Sequence, residues 1–272
     1  MKSAVKVGKE LYQHLYLINR LALYELKIKN KNNYLGNAWE LITPCFFIAI
    51  YWFVFGYGIR GGGRGVEGVE GVPFLNWMTA GIILWFFFQP AVIDGSKAIY
   101  TKVKMVSKMN FPTTVIPTYI VISKLYAHLA LIFIVMIYMQ ATGYSINIYY
   151  LQFPYLLAAT IALLVSIVMI TSTATVLIRD IQLLIRSTIR VMLYLTPFLW
   201  TNDRLPEIVQ DIMKLNPLYY LVEGYRAAYF GDGWYLLQNL NYTIYFWSVV
   251  LIFFIFGSIL HMRFRRHFLD FL

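Results

Sequence analysis

The sequence predicts an all-α integral membrane protein with six transmembrane helices, an N-terminal amphipathic interface helix and a short outer re-entrant helical hairpin. Hydrophobic residues make up 60% of the 272 residues and charged residues 13%, whereas a soluble domain carries about a quarter charged residues. The net charge is +10, but the basic residues collect at the ends of long apolar runs. We therefore interpret them as determinants of membrane topology and not as a surface for nucleic acid.

Residues 1–37 are predicted to be an N-terminal cytoplasmic segment that contains the amphipathic helix. Between residues 8 and 31, apolar and basic side chains fall on opposite faces of a helical wheel, which is typical of a helix lying in the membrane surface. A helix packed against a cytoplasmic domain of the same chain is the alternative, and no such domain is visible. The apolar face consists of Leu11, Leu15, Ile18, Ala22 and Leu26, and the basic face of Lys9, Arg20, Lys27 and Lys31.

Residues 38–262 are predicted to form the transmembrane domain, and residues 263–272 a cytoplasmic tail. The fifth span is unusual because Arg186 and Arg190 lie in its inner half, which leaves a short apolar remainder before Pro197. In the third span, Lys124 and His128 share one helical face, and Lys124 is close enough to the inner end to extend its ammonium to the interface. The predicted spans are approximately 39–57, 74–93, 115–140, 153–178, 182–200 and 242–260.

A charged, helix-forming island at residues 95–108 separates the second and third spans. Its apolar side chains fall on one face of a helical wheel and its lysines on the other. Two interpretations fit this pattern: a solvated loop that obeys the positive-inside rule, or a short helix that docks a soluble partner. The apolar stripe is Ile99, Val103 and Val106, and the basic face is Lys97, Lys104 and Lys108.

Residues 203–231 are too polar for a span and too apolar for a free loop. We predict two short helices, one starting near Pro206 and one at Pro217, that enter the outer leaflet and return. Glu223 and Arg226, three residues apart, are predicted to neutralise each other in the second helix.

Most of the 23 lysines and arginines fall in segments that lie on one side of the predicted membrane. The positive-inside rule makes this side cytoplasmic, with both termini on it.

Sequence motifs for catalysis are absent from the chain. The four histidines are scattered, and there is no phosphate-binding loop of the G-x-x-x-x-G-K-[ST] type. The spans also lack the buried acids and histidines of a proton relay. If the chain moves a solute against a gradient, the energy is therefore expected to come from a partner that hydrolyses ATP, docked at residues 95–108. A membrane scaffold or a transferase that works without such a partner is the alternative.

Four segments, in order along the chain, resemble the permease subunits of type-2 ABC exporters of the polysaccharide and teichoic acid export family. The chain is most similar to the wall teichoic acid permeases of that family, with O-antigen and capsule permeases as the close alternative. Permeases of the same type for small drugs or lipids are more distant. The segments are YLGNAWELITP at 34–44, KMNFPTTVIP at 108–117, LIRDIQ at 177–182 and LNPLYYLVEGYRAAYFGD at 215–232.

The resemblance implies two copies of this chain and two ATPase subunits in a bacterial plasma membrane, with ATP and Mg²⁺ bound by the ATPases and no cofactor in this chain. It implies that the surface helix is a gate helix and that residues 95–108 are the coupling helix, with Lys97, Tyr100, Lys104 and Lys108 facing the ATPase. The implied substrate is a polymer on a polyprenyl diphosphate, moved from the cytoplasmic to the outer side.

Aromatic side chains suit a path for such a polymer, because a flat ring with a polar edge stacks on sugars and still permits sliding. Core packing is the alternative for each of them. Basic residues near the inner boundary suit contact with the diphosphate, although their charges also serve topology. The aromatic candidates are Tyr34, Trp39, Trp85, Phe88, Tyr194, Phe198 and Trp200, and the head-group candidates are Lys27, Lys31, Arg186 and Arg190.

Overall fold

A computed structural model describes residues 2–59, 71–106, 111–201, 205–265 and 268, with the backbone alone at residues 103–106. These ranges are helical over most of their length. The α-helices are α1 (Lys2–Gln13), α2 (Leu15–Lys29), α3 (Trp39–Tyr51), α4 (Phe74–Ser96), α5 (Ala98–Val106), α6 (Val115–Ala141), α7 (Phe153–Leu177), α8 (Ile181–Leu195), α9 (Glu207–Lys214), α10 (Pro217–Phe230), α11 (Tyr235–Gln238) and α12 (Leu240–Phe264).

Within the described ranges, five helical segments are long and apolar enough to cross a bilayer. Each of them contains one of the predicted spans. Only residue 178, the last residue of the predicted fourth span, lies outside its segment. The first combines a 3₁₀ turn, α3 and a π-helical extension over Trp52–Ile59, and the fourth combines a 3₁₀ turn with α7. The five segments are Gly36–Ile59, Phe74–Ser96, Val115–Ala141, Ile148–Leu177 and Leu240–Phe264.

The predicted fifth span corresponds to α8, which does not reach the length of a span. It has 15 residues, or about 22 Å at 1.5 Å per residue, against a hydrocarbon core of about 30 Å. Its first turn is fixed to the end of α4, because Ser96 Oγ donates to Gln182 Oε1 at 2.8 Å and Gln182 Nε2 donates to the Ile93 carbonyl at 3.2 Å. The six-span architecture therefore stays a prediction.

Helix α4 is the centre of the bundle and packs against α6, α7, α8 and α10. It is apolar all round, as expected for a helix with protein on every side. Its aromatic side chains Trp85, Phe87 and Phe88 are buried. At Gly95 a Cβ would lie 2.6 Å from Val168 Cγ1 of α7, so a side chain there would force the two helices apart.

The N-terminal segment forms two helices where one was predicted, with a break at His14. Helix α2 packs along α6, with Ile18 and Ala22 buried in the contact, while Leu15 is exposed. Helix α1 packs against α12, and Arg265 Nη1 lies 3.0 Å from Glu10 Oε1. The interface helix therefore rests partly on the bundle itself. We call the end of the bundle that carries α1, α2 and α5 the basic end, and the opposite end the hairpin end.

The two short helices predicted for residues 203–231 are present as α9 and α10 at the hairpin end, with starts and an end close to those expected. That they enter the outer leaflet and return stays a prediction. Pro206 precedes α9, and Pro217 opens α10. The side chain of Asn216 caps α10 by accepting a hydrogen bond from the Leu218 amide at 3.0 Å. Gly231 ends the helix at a φ of +79°, where a residue with a Cβ would be strained.

The predicted pair of Glu223 and Arg226 is also present and extends to other parts of the fold. Arg226 Nη1 lies 2.6 Å from Glu223 Oε1, and its Nη2 donates to the Pro197 carbonyl at 2.7 Å. The guanidinium also stacks over the ring of Trp77 on α4, 3.5 Å from its centroid. Arg226 is buried and thus joins α10, α4 and the chain that follows α8.

Replacing this guanidinium is expected to destabilise the hairpin strongly. In Arg226→Met, Glu223 loses its counter-ion and the Pro197 carbonyl loses its donor, which should lower the free energy of unfolding by about 3–5 kcal/mol. Arg226→Lys should recover only part of this, because an ammonium cannot reproduce the planar fork. The measurement is denaturant unfolding of the purified chain in detergent.

The matched control is Lys214→Met, which removes an exposed ion pair to Asp211 on the neighbouring helix α9. Its effect should stay below about 1 kcal/mol, as for surface pairs in general. Equal losses in Arg226→Met and Lys214→Met would contradict the role assigned to Arg226.

Candidate functional site

Charged side chains from four helices converge at the basic end of the bundle. Helix α2 contributes Lys29 from its last turn, and α3 contributes Glu40 from its first turn. Helix α4 contributes Asp94 near its end, and α6 contributes Lys124 from its interior. We call these four residues, together with Lys97, the ion-pair cluster. Apart from Asp94 and Lys97, they come from different helices, so the cluster depends on the packing of the bundle.

Asp94 holds two lysines at once. Its Oδ1 lies 2.9 Å from Lys97 Nζ, and its Oδ2 lies 2.7 Å from Lys124 Nζ. The side chain of Lys124 is only 7% exposed, so its ammonium does not extend to the interface, in contrast to the interpretation that its position near the inner end suggested. The reason is that the carboxylate of Asp94 lies within ion-pair distance of this ammonium and neutralises it inside the protein.

Glu40 holds the end of the interface helix. Its Oε1 lies 2.6 Å from Lys29 Nζ and accepts a hydrogen bond from Asn30 Nδ2 at 2.9 Å. Burial disfavours the charged form of Lys29, but the hydrogen bond and the charge of Glu40, with a contribution from Asp94, raise its pKa above the usual value. Lys29 is therefore a cation at neutral pH.

An aromatic-walled cavity of about 530 Å³ lies between α3 and α4, with Lys29, Asn30, Glu40 and Asp94 in its lining. We call it the aromatic cavity. It combines flat apolar rings with charged and polar side chains, and the rings suit a ligand with sugar rings. Its aromatic lining residues are Trp39, Phe47, Tyr51, Trp85 and Phe86.

A second cavity of about 570 Å³ lies between α4, α7, α8 and the hairpin, and its lining is mainly aliphatic. No charged side chain is found among its described lining residues. Phe88, one of the aromatic candidates, lies against this cavity and not against the aromatic cavity. The described lining of the second cavity therefore offers no positive charge to an anion.

The aromatic candidates divide into two groups. Trp85, Phe88 and Phe198 are buried in the core, and the rings of Trp85 and Phe198 lie 5.6 Å apart. Phe198 packs in the core, Phe88 also lines the second cavity, and Trp85 also lines the aromatic cavity. Tyr34, Trp39 and Tyr194 are exposed, and Trp200 is half-buried.

The Trp200 ring is anchored by a hydrogen bond from Nε1 to the Tyr194 carbonyl at 2.9 Å. Among the seven aromatic candidates, only Trp39 and Trp85 are among the described lining residues of the aromatic cavity. A role of any candidate in a substrate path stays a prediction.

The four basic residues predicted to contact a head group are Lys27, Lys31, Arg186 and Arg190, and all are exposed. None is among the described residues that line the aromatic cavity. The lysine of α2 that reaches this cavity is Lys29, which was not among the predicted residues. Glu40 and Asp94 were missed as well, although an acidic residue at the end of an apolar run is itself a signal for a paired charge.

The island after the second span forms α5, as the helical interpretation requires, and Ile99 of its apolar stripe is buried. Lys97 is tied to Asp94, and the Arg179 guanidinium stacks on the half-exposed ring of Tyr100 at 5.2 Å from the centroid. The Lys104 side chain and the whole of Lys108 lie outside the described part of the chain.

In the described ranges, no group of three or more histidine, cysteine, aspartate or glutamate side chains is placed to hold a metal ion.

Comparisons with known proteins give a consistent family. The model of the ABC-2 type transporter family matches residues 16–230, a range that contains the ion-pair cluster and the hairpin. An O-antigen export system permease protein RfbA from Myxococcus xanthus is 24% identical over 228 residues, which is 83% of this chain and 85% of the relative. Another from Klebsiella pneumoniae is 23% identical over 251 residues, which is 89% of this chain and 92% of the relative. A further one from Klebsiella pneumoniae is 24% identical over 225 residues, which is 81% of this chain and 84% of the relative.

Removing the carboxylate at the centre of the cluster is expected to be costly. Asp94→Asn leaves the buried Lys124 ammonium without its counter-ion, which should lower the free energy of unfolding by about 3–5 kcal/mol. Lys124→Met in the same background should restore part of the loss, because it removes the uncompensated charge. Denaturant unfolding of the four variants of this double-mutant cycle measures the coupling.

Asp211→Asn is the control, since Asp211 is an exposed carboxylate paired with one exposed lysine. It should change stability by less than about 1 kcal/mol. Additive losses in the Asp94 and Lys124 cycle would show that the two side chains do not support each other.

Proposed function

The chain belongs to the ABC-2 type transporter family, and on this premise we propose that it is the permease subunit of an ATP-driven exporter of a lipid-linked cell-surface polysaccharide of the O-antigen type. ABC-2 permeases are transmembrane subunits that work with separate ATPase subunits. The observation that carries the proposal is the similarity to O-antigen export permeases over 81% to 89% of the chain.

The similarity places O-antigen export ahead of the wall teichoic acid export that the sequence motifs favoured. The relatives found are named for O-antigen, and nothing in the geometry selects a teichoic acid repeat unit. Both polymers share the chemistry of a sugar-containing chain on a lipid carrier. Teichoic acid and capsular polysaccharide are therefore alternative cargoes in the same proposal, and a permease for small drugs or lipids is a more remote one.

The aromatic cavity supports the proposed class of substrate. Its rings offer stacking surfaces for the sugars of such a polymer. Because stacking on a flat ring still permits sliding, a polymer could move across these surfaces. Trp39 and Trp85 are the predicted path residues best placed for this role.

The proposed assembly contains two copies of the chain related by a two-fold axis, with one ATPase bound to each. The first spanning segment, Gly36–Ile59, offers a surface for this contact, because the described part of the chain leaves most of it uncovered, including Phe46 of α3 and Phe53 of its π-helical extension. The basic end would face the cytoplasm of a bacterial cell and carry both termini, in agreement with the distribution of lysine and arginine. The ATPases would bind ATP and Mg²⁺.

Transport by the purified complex tests the proposal. The chain, co-purified with its ATPase and placed in liposomes, should move a lipid-linked O-antigen polymer to the opposite leaflet only with hydrolysable ATP. The same liposomes should be compared with lipid-linked teichoic acid and with small hydrophobic drugs. Transport by the isolated chain without an ATPase, or ATPase stimulation by drugs and not by the glycan, would refute polysaccharide export.

Docking of the ATPase on the coupling segment has its own test. Lys104→Glu together with Lys108→Glu reverses two charges of the predicted basic face, which should reduce co-purification of the ATPase at moderate salt. The control is Lys6→Glu with Lys9→Glu, which makes the same charge change at exposed positions of α1. An unchanged complex in the first variant would exclude docking through these lysines.

A further inference from the structure

A cavity of about 260 Å³ at the basic end is lined by two carboxylates, Glu25 and Asp94, and by four lysines: Lys29, Lys97, Lys102 and Lys124. It shares Lys29 and Asp94 with the aromatic cavity. We call it the lysine cavity. Its walls come from α2, α5, α6 and the end of α4, so it is built by tertiary packing and is not a property of one helix surface.

The charges around the lysine cavity do not balance. Three carboxylates pair with the four ammonium groups: Asp94 with Lys97 and Lys124, Glu40 with Lys29, and Glu25 with Lys102 at 3.0 Å. One positive charge is left over among the described lining and pairing residues. Because uncompensated charge in a partly buried site is unfavourable, the cavity is suited to a ligand with one negative charge.

The lysines stay accessible to such a ligand. The side chains of Lys29, Lys97 and Lys102 are 37%, 37% and 32% exposed, and that of Lys124 closes the interior of the cavity. An anion could therefore approach from outside and contact several ammonium groups at once. Phosphate oxygens are good partners for lysine ammonium groups.

The position of the cavity favours a lipid over a soluble anion. It lies beside the amphipathic helix α2, at the end of the span formed by α4. Helix α4 has 23 residues, about 34 Å at 1.5 Å per residue, which slightly exceeds the hydrocarbon core of about 30 Å. The part of the cavity beside Lys97, at the end of α4, therefore lies at the depth of the lipid head groups, and Lys124 lies deeper.

We propose that the lysine cavity binds the phosphodiester head group of a resident anionic phospholipid, such as phosphatidylglycerol. The single negative charge of the phosphodiester balances the excess positive charge around the lysine cavity. The acyl chains remain in the leaflet beside α2. The bound head group joins α2 to α5 and so holds the interface helix against the coupling segment. This site does not depend on the identity of the transported substrate.

Native mass spectrometry of the full-length chain in detergent tests the proposal, with phosphatidylglycerol, phosphatidylcholine and inorganic phosphate as separate probes. Phosphatidylglycerol should remain bound in preference to phosphatidylcholine. In Lys97→Gln with Lys102→Gln, its affinity should fall roughly 30-fold, the loss that two lysine contacts with an anionic lipid imply. If this variant does not fold, Lys102→Gln alone, which changes a residue near the surface, should give a smaller loss in the same direction.

The matched control is Lys27→Gln with Lys31→Gln. It removes two exposed lysines from the same region, neither of which lines the lysine cavity, and should leave phosphatidylglycerol affinity unchanged. Equal losses in both double variants would reduce the effect to general surface charge and overturn the proposal. Equal retention of phosphatidylcholine would overturn it too, as would competition by inorganic phosphate at similar concentration. Displacement by a polyprenyl diphosphate at lower concentration would assign the cavity to the cargo instead.

Discussion

The basic end of this protein depends on the carboxylate of Asp94, which holds Lys97 and the buried Lys124. A buried ammonium without a counter-ion costs more than most packing contacts return, so α4 and α6 must meet with these two groups in register. Lys29 and Glu40 add a second pair beside the first. The interface helix α2 is thus held by two kinds of contact: apolar contacts along α6 and an ion pair at its last turn.

At the hairpin end, backbone groups rather than charged side chains need partners inside the protein. Helix α8 is too short to cross a bilayer, and the chain leaves it through an irregular segment at Thr196–Pro197. In an apolar environment the free backbone and side-chain groups of such a segment need partners inside the protein. Arg226 donates to the Pro197 carbonyl, and Asn216 Nδ2 donates to Thr196 Oγ1 at 2.9 Å. Both partners come from α10 or its cap, so the hairpin and the end of α8 stabilise each other.

The sequence predicted the helices better than it predicted the partners of their charges. Length, apolar character and proline or glycine positions determine where a span or the α10 helix begins and ends, and these signals are local. The partner of Asp94 is 30 positions away at Lys124, and no local pattern specifies it. The aromatic residues of α4 were also hard to assign, because a helix that is apolar all round offers no polar face to show which side meets a cavity. Trp85 could be assigned to the aromatic cavity, and Phe88 excluded from it, only once the packing was known.

In the proposed exporter, the same contacts determine how a motor could act on the membrane part. A force applied to α5 reaches α4 at once, because Lys97 is tied to Asp94 and follows α4 directly. It also reaches α2 by a separate route, since Lys102 of α5 pairs with Glu25. Helix α2 leads through Lys29 to Glu40 and α3, which forms one wall of the aromatic cavity. Because both routes end at walls of the same cavity, a displacement of α5 would be passed to both α3 and α4 for as long as the ion pairs hold. The strength of these pairs, and any lipid head group that reinforces them, therefore limits the force that can be transmitted.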